Sequence, residues 1–255
     1  SYNDYEIMIN MKKNKKEYDQ SGYVVIKKVF AKDLIDSVIL EIQKSSDTEK
    51  YFDQKGNLRR IERIYNKGDA LNAINDEILL LLNQMFSKDF TIFKDKYNAK
   101  PPGGEGFYAH YDGIFTFKNS TGVIEKGWYK YTDFFVNVLI ALDDCNIHNG
   151  TIEIAEAHQE TYDKLLLNTK QNGTPDLIES IENKIKFNPI NLNIGDIVLF
   201  SNTCPHRSKK NNSNKNRQTL YYTYSLLEDG SFYEQYFKDK AESKNTASKS
   251  LSGES

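Results

Sequence analysis

His110 and Asp112 stand one residue apart in "GFYAHYDGIF", residues 106–115, in a chain that has only four histidines. On a β-strand, residues i and i+2 face the same side, so the two side chains can project together. A neutral imidazole nitrogen beside a carboxylate oxygen suits a divalent first-row metal. A second histidine would complete the two-His-one-carboxylate set of non-haem iron(II) sites, which leaves coordination positions open. Alone, a His-x-Asp tripeptide is common by chance. Three histidines compete for the remaining place. His148 sits beside Asn149-Gly150 and reads as a solvated turn residue. His158 ends a strand before a helical pattern and reads as structural. His206 closes the hydrophobic stretch "GDIVLFSNTCPHRS", late enough for an antiparallel neighbour to bring it to His110, and is the preferred third ligand.

Arg217 gives a second, independent signal. It lies eleven residues beyond His206 and opens the strand-like "RQTLYYTY". A buried guanidinium needs an anion, and it binds a carboxylate bidentately. Beside a metal that chelates a 2-oxo acid, Arg217 would grip the acid's distal carboxylate and Ser208 would add a hydroxyl. The competing reading is a surface salt bridge, the commoner fate of an arginine. The conjunction of His-x-Asp, a buried strand, a Gly-Asp strand ending in His and then an Arg is what favours a metal site.

Elements able to position these groups are visible in the pattern. "GYVVIKKVF" (22–30) reads as a strand, and Asp33 could cap a helix carrying Leu34, Ile35, Val38, Ile39 and Ile42 at helical spacing. A second helix is expected over 69–87. "FTIFKDKYNAKPPGG" has strand character and ends in a Pro-Gly breaker. "FFVNVLIALDD" (134–144) suits a strand buried on both faces, and Asn149-Gly150 signals a hairpin. A helical excursion is expected over 159–184, followed by strands through 195–208 and 217–227. Helices followed by many short strands predict a mainly β chain with helices (α+β): a double-stranded β-helix, or cupin-like jelly roll, buttressed by N-terminal helices. Residues 1–237 read as one domain, and the polar stretch 238–255 as a disordered tail.

Composition narrows the function. Net charge is −2, with no global basic field for nucleic acid. No apolar run is long enough to span a bilayer. Apolar content of 38% with 17 Tyr and 14 Phe suits a globular fold with aromatic-lined cavities. Cys145 and Cys204 form no spacing motif, so a reducing, cytoplasmic location is expected. Cys204 reads as a small buried filler.

These residues resemble the phytanoyl-CoA dioxygenase family of iron(II)- and 2-oxoglutarate-dependent oxygenases, from about Tyr18 to Ser225. "SGYVVIKKVFAKDLIDSVILEI", "KPPGGEGFYAHYDG", "VNVLIALDDCNIHNGTIEI", "NIGDIVLFSNTCPHRS" and "NRQTLYYTY" carry the likeness, and "GFYAHYD" is locally similar to ectoine hydroxylases. The resemblance implies iron held by His110, Asp112 and His206, 2-oxoglutarate held by Arg217 and Ser208, and an aromatic pocket wall at Phe107. Leu139 falls where relatives often have Trp. If it faces the pocket, Asn137 does too, and could donate a hydrogen bond to the cosubstrate. Two departures stand out: Ala155-Glu156-Ala157-His158 where relatives have Pro-Gly-Ser-His, and Tyr111 where they often have Gln. Retention of Asp112 argues against halogenation, since halogenating relatives lack this carboxylate.

By the same resemblance the expected activity is oxidation of a small metabolite, such as an amino acid or natural-product intermediate, with Fe(II), 2-oxoglutarate and O₂ and release of succinate and CO₂. Hydroxylation leads; cyclisation or desaturation by the same site, a non-catalytic jelly-roll binding protein, and a zinc hydrolase are the alternatives. Residues 113–133 suit a loop over the site mouth. Tyr111, Phe115, Trp128, Tyr129 and Tyr131 are candidate substrate contacts. A small-molecule partner is expected, with no nucleic acid or membrane, in a monomer or weak homo-oligomer.

Overall fold

The computed structural model describes residues 2–46, 48–113, 116–118, 121–156 and 175–244. Two antiparallel sheets face each other, and helices cover the outer face of the larger one. The strands of the large sheet run β1 (Tyr23–Ile26), β10 (Ile197–Ser201), β7 (Phe135–Ala141), β12 (Arg217–Leu226), β4 (Phe90–Lys100), β3 (Leu58–Glu62) and β2 (Glu49–Phe52), in that spatial order. The small sheet is β11 (His206–Ser208), β8 (Ile152–Ala155) and β9 (Phe187–Pro189). A short hairpin pairs β5 (Thr116–Lys118) with β6 (Ile124–Lys126).

Alternation along the central strands separates two cores. Val136, Val138 and Ile140 of β7, with Leu220, Tyr222 and Tyr224 of β12, face the helices. There they meet Ile35, Val38 and Ile42 of α2 (Lys32–Lys44), and Leu71, Ile74, Ile78 and Leu82 of α3 (Asp69–Phe86). Leu139 and Ala141 point the other way, against Ile152 and Ile154 of the small sheet. Polar residues of the same inner face, Asn137 and Thr219 among them, are buried where the sheets part. An apolar face on each side is why "FVNVLIA" reads as a continuous buried run.

Helix ends are satisfied differently from the sequence expectation. α2 begins after Ala31, with Asp33 inside its first turn and no side-chain cap. α3 is capped from α2: Glu41 accepts from the backbone N–H groups of Ala70 (3.0 Å) and Leu71 (2.8 Å). The N-terminal helix α1 (Tyr2–Ser21) precedes all of these and is largely exposed.

Three further differences matter for the site. Asn149-Gly150 does not join a hairpin. Asn146 caps a 3₁₀ turn over Ile147–Asn149, Gly150 closes it at φ 76°, and the chain then crosses to the small sheet. The stretch 195–208 is not one strand: it breaks after Ser201, so β10 lies in the large sheet and β11 in the small one. Residues 238–244, read from sequence as part of a tail, continue helix α5 (Tyr233–Lys244). That helix docks through the buried Phe237 and the Tyr233 hydroxyl, which donates to Asp95 Oδ1 at 2.6 Å. Among 159–184, only 175–184 are described, with a single turn α4 at Glu179–Glu182.

Candidate active site

The break between β10 and β11 places His206 on the small sheet, where it meets His110. Their backbones bond reciprocally, His110 N to His206 O at 3.0 Å and His206 N to His110 O at 2.8 Å. Asp112 is fixed two residues on: its N–H donates to Asn202 O (2.8 Å), and its carbonyl accepts from Asn202 Nδ2 (3.1 Å). Gly106 passes so close to β11 that a Cβ there would lie 1.9 Å from the Ser208 carbonyl oxygen. Only glycine lets the 106–112 segment lie along that strand.

Each imidazole gives its Nδ1 to a backbone carbonyl, His110 to Tyr108 (2.7 Å) and His206 to Cys204 (3.0 Å). A carbonyl can only accept, so the Nδ1 atoms carry the protons and both Nε2 atoms are left unprotonated, with the Tyr221 hydroxyl 3.3 Å from His206 Nε2. His110 Nε2 lies 3.7 Å from Asp112 Oδ1, and His206 Nε2 lies 3.5 Å from Asp112 Oδ2. The three donor atoms fall within 4.8 Å of one another. Ligands about 2.1 Å from one metal on adjacent octahedral vertices lie about 3 Å apart, so a small contraction closes the set.

Electrostatics favour the coordinating forms. Burial, reinforced by His110, lowers His206 to about 4, leaving it neutral near pH 7. Burial alone would raise the Asp112 carboxyl. His206, His110, Lys94 and Lys96 outweigh it and hold the group below its usual value. Asp112 Oδ2 also accepts from Asn137 Nδ2 (2.9 Å) and from the Tyr221 hydroxyl (3.1 Å). Two neutral imidazoles and one oriented carboxylate are a donor set that fits iron(II).

The donors open into a cleft whose walls include Phe107, Ser208, Arg217, Thr219, Tyr221 and Leu139. Arg217 is buried; one guanidinium nitrogen donates to Gly150 O at 3.1 Å and its Nε has no partner. The buried Thr219 hydroxyl beside it is likewise unpaired. Ser208 Oγ accepts from Lys100 Nζ (2.9 Å) and from Phe107 N (3.2 Å). Both its lone pairs are then used, so its own proton is free to donate into the cleft. An arginine with unused donors and a hydroxyl held as a donor form a carboxylate cradle, which fits 2-oxoglutarate.

Similarity to known proteins agrees with this arrangement. The model of the phytanoyl-CoA dioxygenase (PhyH) family matches residues 18–219. The chain belongs to this family. It is an iron(II)- and 2-oxoglutarate-dependent dioxygenase. It is 30% identical over 201 residues to the 2-aminoethylphosphonate dioxygenase of Uncultured bacterium HF130_AEPn_1, covering 76% of this chain and 70% of that one. It is 31% identical over 153 residues to the methylphosphonate hydroxylase of Gimesia maris, covering 60% of this chain and 52% of the other. In fold it resembles EctD from S. alaskensis in complex with 2-oxoglutarate and 5-hydroxyectoine, at TM-score 0.64 and 14% identity over 85% of this chain and 76% of that one. It also resembles the epimerase SnoN of nogalamycin biosynthesis, at TM-score 0.65 and 14% identity over 85% and 83% of the two chains.

Other residues singled out from sequence lie elsewhere. Asn137 turns to Asp112, and its Oδ1 accepts from Thr223 at 2.7 Å, so both ends of the amide are engaged away from the cosubstrate cradle. Tyr111 points away from the donors and packs with Ala109 and Leu177. Trp128 and Tyr131 join Phe93 and Phe135 in an aromatic cluster, and the Tyr131 hydroxyl donates to Asp239 of α5. Tyr129 packs on the same cluster. None of these four is among the described residues that line the cleft. The docking of α5, which the polar sequence 238–244 concealed, draws the 128–131 turn into a packed cluster instead. Phe115 and His158 lie outside the described residues, and His148 is exposed in its turn.

What sequence reading missed is the inner face of β4. Lys94, Lys96 and Asn98 line the cleft, and Lys100 stands behind the cradle. The signal was present as period-two spacing in "KDKYNAK".

Proposed function

We propose that this dioxygenase hydroxylates a C–H bond of a small organophosphonate. One C–H bond, O₂ and 2-oxoglutarate would become C–OH, succinate and CO₂. The observation that carries the reading is one cleft holding both parts of the chemistry: two unprotonated Nε2 atoms with an aspartate, and a buried arginine with an unused donor.

His110, Asp112 and His206 would hold iron(II), which with 2-oxoglutarate and O₂ supplies an oxidant able to attack an unactivated C–H bond. Arg217 and the Ser208 hydroxyl hold the distal carboxylate, and Phe107 walls that end of the cleft. Asn137 and Tyr221 fix the Asp112 carboxylate, so the ligand set keeps its geometry through turnover. No side chain needs to act as a nucleophile. The substrate class is supported by the named activities of the two phosphonate relatives and by the cationic wall at Lys94 and Lys96.

The test is succinate formation by Fe(II)-loaded protein with 2-oxoglutarate, O₂ and a panel of short phosphonates and amino acids, with products read by mass. A gain of one oxygen on a phosphonate is the expected result. Loss of two hydrogens would replace hydroxylation by desaturation or cyclisation. Ligand binding with neither succinate nor a charge-transfer band under anaerobic Fe(II) and 2-oxoglutarate would leave only a binding protein.

A further inference from the structure

Arg60 is an anomaly that the cosubstrate cradle does not explain. It lies on β3 at 2% exposure, and none of its three guanidinium nitrogens makes a hydrogen bond. Its Nε is 3.3 Å from Glu62 Oε1, but Glu62 also serves Lys240 and the Tyr51 hydroxyl. The guanidinium stacks over the Tyr51 ring at 4.0 Å, which fixes its plane. Arg60 lines a small hollow that shares Asn98, Phe107 and Arg217 with the iron cleft.

Lys94 and Lys96 are its neighbours in charge. Both line the iron cleft, and neither has a hydrogen-bond or ion-pair partner among the described residues. Their ammonium groups rest on aromatic faces, Lys96 over Tyr221 at 4.8 Å and Lys94 over Trp128 at 4.7 Å. Burial pushes both below the ordinary lysine value, and the Arg60 charge pushes the same way. Among the described residues, Arg60, Lys94, Lys96 and Lys240 stand around the inner face of β3 and β4 against Glu62 and Asp112, and Asp95 acts on Lys94 from the neighbouring position of β4. Iron bound to Asp112 would neutralise one of these carboxylates further. Buried lysines tend to shed their protons while an arginine keeps its charge, and an anion that took the unused donors would hold all three groups charged.

Resting on the phosphonate reading, we propose that Arg60, Lys96 and Lys94 form the head-group site of the substrate, specific for a doubly charged tetrahedral oxyanion. Arg60 offers a planar fork that takes two oxygens, and the lysines place point charges on the rest. The head group is then held by β3 and β4 while the carbon chain reaches the iron. Arg217, on β12, stays with the cosubstrate. The site ranks substrates by head-group charge before any C–H bond is presented.

The experiment uses the full chain, calorimetry, and two probes of one carbon skeleton, ethylphosphonate and propionate, with inorganic phosphate as a third. Wild type should bind ethylphosphonate and phosphate, and bind propionate about tenfold more weakly or worse. Lys96→Met and Lys94→Met should each weaken ethylphosphonate binding by about tenfold, the loss of a charged hydrogen bond. Arg60→Met should weaken it at least as much, with Arg60→Lys recovering part. If Arg60→Met fails to fold, the two lysine variants carry the test. Affinity for 2-oxoglutarate, read from the anaerobic Fe(II) charge-transfer band, should stay within about twofold in the lysine variants. Ethylphosphonate affinity unchanged in Lys96→Met, or propionate binding as tightly as ethylphosphonate, would overturn the proposal. Phosphate can be titrated without iron. Lysine-dependent phosphate binding in a protein that makes no succinate would therefore defeat the proposed reaction while leaving the head-group site standing.

Discussion

Replacing Lys100 by methionine removes three contacts at once. Its Nζ reaches Ser208 Oγ (2.9 Å), Gly150 O (3.0 Å) and Lys209 O (2.6 Å). With Lys100 protonated, as a bound carboxylate would hold it, Nζ fills one lone pair of Ser208 Oγ and Phe107 N fills the other, which leaves the serine proton to donate to the carboxylate that the proposed cradle would hold. Without Lys100, the hydroxyl can turn to the carbonyls that the lysine has vacated. A hydrogen bond to a charged group contributes about 1.5–3 kcal/mol, so 2-oxoglutarate affinity should fall roughly ten- to a hundredfold. Methionine has similar length and no branch, which keeps the packing change small. The assay is titration of the anaerobic Fe(II) charge-transfer band, with unfolding temperature as the control. A dissociation constant within twofold of wild type in a normally folded variant would refute the reasoning.

Proton linkage gives a second readout on the same residue. Burial first, then Arg217, lowers Lys100 to about 6, against about 10.4 in an unfolded chain. Between these values the unfolded chain binds the extra proton, so this group makes stability rise with pH from about 6 to about 10. Lys100→Met should lack that slope, and its stability relative to wild type should be greatest at the acid end. A bound carboxylate draws the proton back. Near pH 7.5, wild type should therefore take up protons on binding 2-oxoglutarate and the variant should not, as calorimetry in buffers of different ionisation enthalpy would show.

Tyr221→Phe removes the phenol that bonds Asp112 Oδ2 and should weaken iron binding by about tenfold, read by competition with a chelator. Arg217→Met should raise the KM for 2-oxoglutarate by roughly a hundredfold, with Arg217→Lys recovering only part because it keeps the charge and loses the fork. Glu41→Ala uncaps α3 at Ala70 and Leu71 and should cost about 1 kcal/mol, or roughly 2–4 °C in Tm, with unchanged turnover.

The chemistry-bearing residues were legible because their roles are written in residue type and short spacing. His110 and Asp112 share a side by strand periodicity, and the Arg217 guanidinium has few reasons to be buried except an anion. The packing of the aromatic turn at 128–131 was hidden for the opposite reason. Nothing local reveals that Tyr131 is claimed by Asp239, more than a hundred residues away. Asn149-Gly150 carries a genuine turn signal, but Asn146 made it the end of a 3₁₀ turn rather than a hairpin.

Sequence by itself determined the candidate donor set, the candidate cosubstrate anchor, helices α2 and α3 and the run of β7, since each depends on periods of a few residues. Tertiary structure decided which face of each strand looks inward. The spacing in "KDKYNAK" says only that Lys94, Lys96, Asn98 and Lys100 share a side. Pairing of β4 with β12, Lys100 opposite Arg217 and Lys96 opposite Tyr221, makes that side the interior. A one-residue slip would have sent every lysine to the other face, and register is set by partners distant in the chain.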